Sequence, residues 1–453
     1  MTRDSPQATN KVTLRSYRDA CRDGTVHASA CIRLGGPVVN VMNQYLARLL
    51  KAAALSAVFV GVSACGGGSE SSSGNSPAAG SGTGGTGGTG GTDSTAAGSA
   101  FTTFMGSGTL LVGAQMDDAT AAAAPFDARY VYLASNTVPE AACLKACPEA
   151  CTSWWGCWQD RSQPPGQYVK HHLQQNAAAT WQGASRPRLP VFTYYTFLSG
   201  SGGGEGASEV AAMNNAAVLG RYFDDWRFLL QTIGSERVML HIEPDLWGFL
   251  RSVNSDPHAV PAQVKTANPA DCASQENSAA GLARCMIAMA RKYAPHVAVG
   301  LHASPWNYLA SGDGEATGRF LLALGAGDGD FVATDPSDRD AGWYSARGQD
   351  HWWDDQKFSA YLAWSKTLAE TVGKPTVMWQ LPLGNAAQNN TINHWQDNRV
   401  DTLLSRIGEV ADAHVAALLF GAGHQEQTTP ETDGGNLVRK TTANWQTGGA
   451  RLR

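Results

Sequence analysis

Eight short apolar runs rich in β-branched and aromatic residues recur along the chain, at 109–114, 129–134, 189–198, 237–242, 296–301, 330–334, 375–381 and 414–421. The stretches between them carry apolar residues at helical spacing. Leu219, Tyr222, Phe223, Trp226, Leu229 and Leu230 share one face, as do Leu282, Met286, Met289 and Tyr293, and Val400, Leu403, Leu404 and Ile407. Each stripe reads as the core-facing side of an amphipathic helix. Buried strands alternating with helices predict an α/β fold with a parallel sheet, closed into a (β/α)8-type barrel. The first two runs are close together, so the helix between them is expected to be absent and the barrel irregular. An open doubly wound sheet is the alternative, but no GxGxxG follows the first run to support a dinucleotide site.

In such a barrel the chemistry gathers at the C-terminal strand ends. Here those ends form a polar and aromatic series. Gln115 closes the first run and Tyr194 the third, and Glu243, Asp245 and Trp247 follow the fourth. His302, Ser304 and Trp306 follow the fifth, Asp335, Asp338 and Trp343 the sixth, Gln380 and Asn385 the seventh, and His424 the eighth. Carboxylates and amides hydrogen-bond hydroxyls, and indoles cover the apolar face of a pyranose. The sharpest segment is VMLHIEPDLWGFL (238–250), a buried strand running into Glu243-Pro244-Asp245 beside two aromatics. One of these carboxyl groups can protonate a glycosidic oxygen. The competing reading is an acidic helix start with proline in the first turn. His171 and His172, in a Lys-His-His-Leu stretch, read as a solvated helix face.

The N-terminal region carries targeting rather than fold. Residues 1–41 read as an upstream extension ahead of a better start at Met42. Arg48 and Lys51 then precede an apolar stretch, and Val62-Ser63-Ala64-Cys65 resembles a bacterial lipobox. Residues 42–64 are therefore expected to be a lipoprotein signal peptide, with lipidation at Cys65 and outer-membrane or cell-surface anchoring. Residues 65–99 are nearly all Gly, Ser, Thr and Ala and predict a flexible tether. Residues 100–453 are expected to form a single domain.

The net charge of −5, from 34 Lys+Arg and 39 Asp+Glu without a basic stripe, argues against nucleic acid as a partner. Six cysteines fall in the domain, an even number in an exported chain, which predicts disulfides. Cys143, Cys147, Cys151 and Cys157 cluster as a stapled loop, which leaves Cys272 and Cys285 as a pair by elimination. Their spacing lacks CxxC pairs and interleaved histidine, so no metal site is expected. No cofactor is expected either.

A family resemblance covers roughly a third of the chain. HIEPDLWGFL (241–250) is similar to the IEPDSL motif of glycoside hydrolase family 6, the cellobiohydrolases and endoglucanases. DCASQENSAAGLARC (271–285), VAVGLHASPWNYLASG (297–312) and FVATDPSDRDAGWY (331–344) resemble, in order, that family's Cys-containing helix, its YLDAGHAGWLGW region and its FATNVANYNGW region. The resemblance implies Asp245 as general acid, Glu243 as a buried neighbour that helps set its pKa, and Trp306 and Trp343 as sugar-stacking residues. The chain departs from the family in three places. His302 stands where the family has Asp, no Asp follows the third run, and WQLPLGN replaces a late Lys-Pro-rich loop.

The expectation is a surface-anchored, monomeric glycoside hydrolase acting on a β-glucan-like polysaccharide or oligosaccharide. It would invert, with Asp335 or Asp338 as base. Tyr194, Trp247, His302, Trp306, Trp343, Gln380, Asn385 and His424 would bind the carbohydrate. The alternatives are a carbohydrate-binding lipoprotein with a degenerate barrel, and a lyase or isomerase built on His302 or His424.

Overall fold

The computed structural model describes residues 94–135, 139–158 and 160–452. The expected upstream extension, the expected signal peptide, Cys65 and most of the expected tether lie outside the described residues. Eight strands close into a barrel: β1 (Leu111–Ala114), β2 (Ala128–Leu133), β5 (Leu189–Tyr194), β6 (Val238–Ile242), β7 (Val297–His302), β8 (Phe331–Thr334), β9 (Thr376–Leu381) and β10 (Val415–Phe420). All neighbouring pairs in it are parallel, and β1 pairs with β10 to complete the ring. The open-sheet alternative is excluded. A small antiparallel hairpin, β3 (Thr180–Trp181) and β4 (Ala184–Ser185), lies outside the barrel. It turns through Gln182 and Gly183, both at positive φ, as a two-residue hairpin requires.

Alternation along the strands sorts side chains between the barrel interior and the helix layer. Tyr130, Val191, Met239, Ala298, Ala333, Val377, Trp379 and Leu419 meet inside. Phe192, Leu240, Val299 and Val332 face outward into a helix-lined core. That core receives the expected stripe of helix Ala216–Ile233, from Leu219 to Leu230, and most of the stripe of helix Ala279–Tyr293. Asn215 and Ser278 cap these two helices through their side-chain oxygens. The stripe from Val400 to Ile407 is divided between two short helices, Arg399–Ser405 and Ile407–Asp412. Gly300 gives Phe331 its place, because a Cβ there would stand 2.6 Å from that ring. Helix Ser94–Met105 begins inside the segment read as tether. Its Phe101 packs on Phe331 at the N-terminal end of β8, with ring centroids 5.7 Å apart.

Three local expectations need correction. A short helix, Asp118–Ala123, does join β1 to β2, capped by the Asp117 carboxylate. The run 189–198 stops as a strand at Tyr194, and its end becomes helix Phe197–Ser201. His172 is buried rather than solvated. Its Nε2 lies 3.3 Å from the Arg129 carbonyl, and burial lowers its pKa to about 3.

The six cysteines form three disulfides, Cys143–Cys151, Cys147–Cys157 and Cys272–Cys285. Disulfides of this number belong to an oxidising, exported environment. The first two staple the loop that delivers Trp154 and Trp155 to the buried carboxylate of Asp225. Both indole N–H groups donate to it, at 2.6 and 3.0 Å. Among the described residues no helix is long and apolar enough to cross a membrane.

Candidate active site

The end of β6 departs sharply from strand geometry. Glu243 and Asp245 both hold positive φ, 48° and 65°, on either side of Pro244. Non-glycine residues take this conformation at a cost, and such positions cluster at functional sites. Asp245 occupies the N-cap position of helix Leu246–Val253, yet its side chain makes no capping hydrogen bond. Asp245 thus starts a helix without capping it through its side chain, and its carboxylate is turned to the barrel mouth.

There it meets Asp335, from the end of β8, and His302, from the end of β7. One ligand atom from each of the three lies within 4.8 Å of the others. His302 Nε2 is 3.1 Å from Asp335 Oδ1, and His302 Nδ1 is 3.1 Å from His241 Nε2. Burial pushes the Asp245 carboxyl up to about 6, and the neighbouring Asp335 charge adds to the rise. Among the described residues this is the one group of three or more His, Cys, Asp or Glu donors close enough to hold a metal ion. Both imidazole nitrogens of His302 already have partners, so an ion would have to displace one of them.

Gln380 reaches the same mouth by an irregularity of β9. Between Met378 and Leu381 this strand carries one residue more than its partner on β10, a bulge. Gln380 has φ 54°, and its Oε1 accepts a hydrogen bond from the Tyr132 hydroxyl. Burial raises the pKa of Tyr132, and neighbouring Tyr130, Asp335 and Asp245 add to the rise.

Glu243 is buried beside Asp245, as the family resemblance implies, but it is not among the charges that shift Asp245. It is fully buried, and its Oε1 accepts from the backbone N–H of Thr196 and Phe197, each at 3.1 Å, and from Tyr222 O–H at 2.9 Å. Burial and the nearby Glu209 raise its pKa to about 8, so it holds a proton at neutral pH. After burial, Asp335 and, behind it, Glu205 are the carboxylates that raise Asp245.

The remaining expected residues scatter. Tyr194 points outward into the helix layer, where its hydroxyl donates to Asp225 at 2.8 Å. Trp247 is buried, with its N–H on the Ile242 carbonyl at 3.1 Å, and so offers no open stacking face. Asn385 is buried and bonded to backbone, donating to the Asp433 carbonyl and accepting from Ala387 N–H. Asp338 pairs with Arg339 and Tyr344, not with Asp245. Trp343 lies under Arg347, whose guanidinium sits 3.6 Å from its ring centroid, with His424 nearby at 6.4 Å. Trp306 keeps a free face. It is 48% exposed, propped by Phe249, and borders a recess of about 200 Å3 that His302 and Ser304 also line.

Sequence reading missed Tyr132 and His241 at this mouth. A period-two reading of RYVYLA and VMLHI places Tyr132 and His241 on the inward face, and that was the available signal.

The separation of the two carboxyl groups is the quantity that distinguishes the expected inversion from retention. Inversion needs the two carboxyl groups about 6.5–9.5 Å apart to admit a water, whereas retention uses about 5–5.5 Å. Asp245 and Asp335 bring oxygens within 4.8 Å of each other.

No protein-family model and no curated protein matches the sequence. Among solved structures, the chain is similar to a double mutant of an endo-beta-1,4-mannanase from Cellulomonas fimi, at 10% identity and TM-score 0.46, over 77% of this chain and 74% of that one. It is also similar to a xyloglucan-specific beta-1,4-glucanase from a ruminal metagenomic library, at 9% identity and TM-score 0.42, over 74% and 86%. A third is endo-glycoceramidase II from Rhodococcus sp., at 11% identity and TM-score 0.40, over 74% and 78%. At such identities and TM-scores these likenesses decide nothing about the chemistry of this chain.

Proposed function

We propose that the chain is a glycoside hydrolase that cleaves with retention of configuration. Asp245 is the acid/base and Asp335 the nucleophile. The observation that carries this reading is the close Asp245–Asp335 pair at the barrel mouth, with the Asp245 carboxyl pushed up to about 6 by burial and by its neighbour. Asp245 protonates the leaving oxygen while Asp335 attacks the anomeric carbon. Asp245, now a carboxylate, then takes a proton from the water that releases the sugar. His302 holds Asp335 in place, and Gln380 and Tyr132 stand ready to meet sugar hydroxyls. The family 6 resemblance supports Asp245 as the acid, and retention in place of the expected inversion is the point the anomer of the first product decides.

A β-glucan is the first substrate to test. Reducing sugar should be released from a β-glucan panel by the wild type and lost with Asp335→Asn. Proton NMR of the first product should show the retained anomer. Product with inverted configuration would overturn the role of Asp335. Turnover should also survive EDTA, and a requirement for added divalent cation would replace this reading with a metal-assisted one at the same three residues. Binding to the panel without release would instead support a carbohydrate-binding protein. A monomer with lipid on Cys65, anchored at the outer membrane or cell surface, completes the proposal. Mass spectrometry of the mature N-terminus tests the lipid.

A further inference from the structure

Two histidines and a threonine form a line across the barrel interior beneath the proposed site. Thr193 on β5, His241 on β6 and His302 on β7 are all buried. Thr193 Oγ1 lies 3.4 Å from His241 Nδ1, the longest link. His241 Nε2 is 3.1 Å from His302 Nδ1, and His302 Nε2 is 3.1 Å from Asp335 Oδ1. The two rings stack at 5.2 Å with 25° between their planes, and both meet Trp379 edge-on. Asp335 fixes the direction of the line, because an ionised carboxylate only accepts. A neutral His302 then carries its proton on Nε2, and its Nδ1 is an acceptor. His241 must donate from Nε2 and accept on Nδ1 from the Thr193 hydroxyl. Every atom in the line finds a complementary partner in one arrangement of neutral rings.

We propose that Thr193 and His241 are positioning residues that lock His302 in its Nε2–H tautomer, so that it donates to Asp335 and orients that carboxylate. The consequence for the reaction rests on the retaining reading above; the tautomer itself does not. Removing the His241 N–H leaves Nδ1 of His302 an open lone pair, free to change tautomer or take a second proton. The charged and titratable groups facing these rings are His241 and Asp245 from β6 and its end, Asp335 from β8, Tyr132 from β2, and Arg251, which lines the recess beside His302. A charged His302 would favour ionisation of Asp245, as an opposite charge does. Burial keeps His241 neutral.

The test is nitrogen NMR on the full chain labelled with 15N-histidine, with the two rings assigned by His241→Gln and His302→Gln. Both rings should show a protonated Nε2 and an unprotonated Nδ1 near neutral pH. An Nδ1–H tautomer in either ring, or a doubly protonated ring at neutral pH, overturns the proposal. Thr193→Val should mix the tautomers of His241, and Thr193→Ser should restore them. In kinetics, His241→Phe should lower kcat with KM held and move the alkaline limb of kcat/KM to lower pH by about one unit or more. His241→Gln, which returns an N–H donor, should recover most of the wild-type profile. An unshifted limb in His241→Phe also overturns the proposal. Expected tautomers in a protein that hydrolyses no glycan would leave the lock standing and remove the enzymatic reading.

Discussion

Replacing Asp245 by Asn separates chemistry from stability in a single variant. Asn keeps the shape of the side chain and tolerates positive φ at least as well as Asp, so the corner after β6 should persist. In the wild type the Asp245 carboxyl titrates near 6, against about 3.9 in an unfolded chain. The folded state thus resists ionising it. Stability is intact below about pH 4 and is lost as pH rises through about 6. A rise of this size corresponds to about 2–3 kcal/mol. That is a ceiling, because Asp245 remains partly exposed at the mouth and part of the effect is screened. Asp245→Asn carries no such penalty, so its Tm should match the wild type near pH 4 and exceed it near pH 8. Turnover should fall by about a hundredfold or more, the usual worth of a general acid. In the wild type, kcat/KM should fall about tenfold per pH unit above about 6, as the acid loses its proton. Reducing-sugar release and thermal unfolding at both pH values give the two readouts. Turnover within a few-fold of wild type, or a Tm difference that ignores pH, would refute the assignment.

Glu243→Gln should fold as well as the wild type and hold its Tm better as pH rises from about 4.5 through about 8, because the folded state keeps Glu243 protonated. Glu243→Ala should lose about 2 kcal/mol or more in denaturant unfolding, since two backbone N–H groups and the Tyr222 hydroxyl lose their acceptor. Peptide mapping without reduction should recover Cys143 with Cys151 and Cys147 with Cys157, and replacing either pair by alanine should cost about 2–3 kcal/mol in denaturant unfolding. Gly300→Ala should destabilise the barrel by about 1–3 kcal/mol in the same assay, because its methyl group would collide with Phe331.

The barrel was legible because each strand is a short apolar run and each major helix shows a stripe at the right spacing. Asp245, His302 and Asp335 were legible as strand-end residues, since a parallel barrel presents all those ends on one face. Tyr194 misled because it also closes a strand, but on the outward parity, so it serves Asp225 instead of the mouth. Trp247 and Asn385 misled for another reason. Residue type marks them as sugar binders, whereas the fold uses the Trp247 ring and N–H, and the Asn385 amide, to close its own loops. The short Asp245–Asp335 separation has no trace in the sequence, because it depends on how far the β6 corner turns back over the barrel. The His241–His302 contact likewise needs the register of two neighbouring strands, in which His241 is paired with Gly300.

The bulge in β9 bears on how this mouth can diversify. A regular strand offers alternate residues to a barrel interior, so variation at every second position is hidden among the helices. By inserting one residue, β9 presents Trp379 and Gln380 side by side, one facing the histidine pair and the other Tyr132. Two adjacent codons therefore both write onto the same surface. Drift or selection acting on this one strand can change the shape and the hydrogen bonding of the mouth together, without moving a loop.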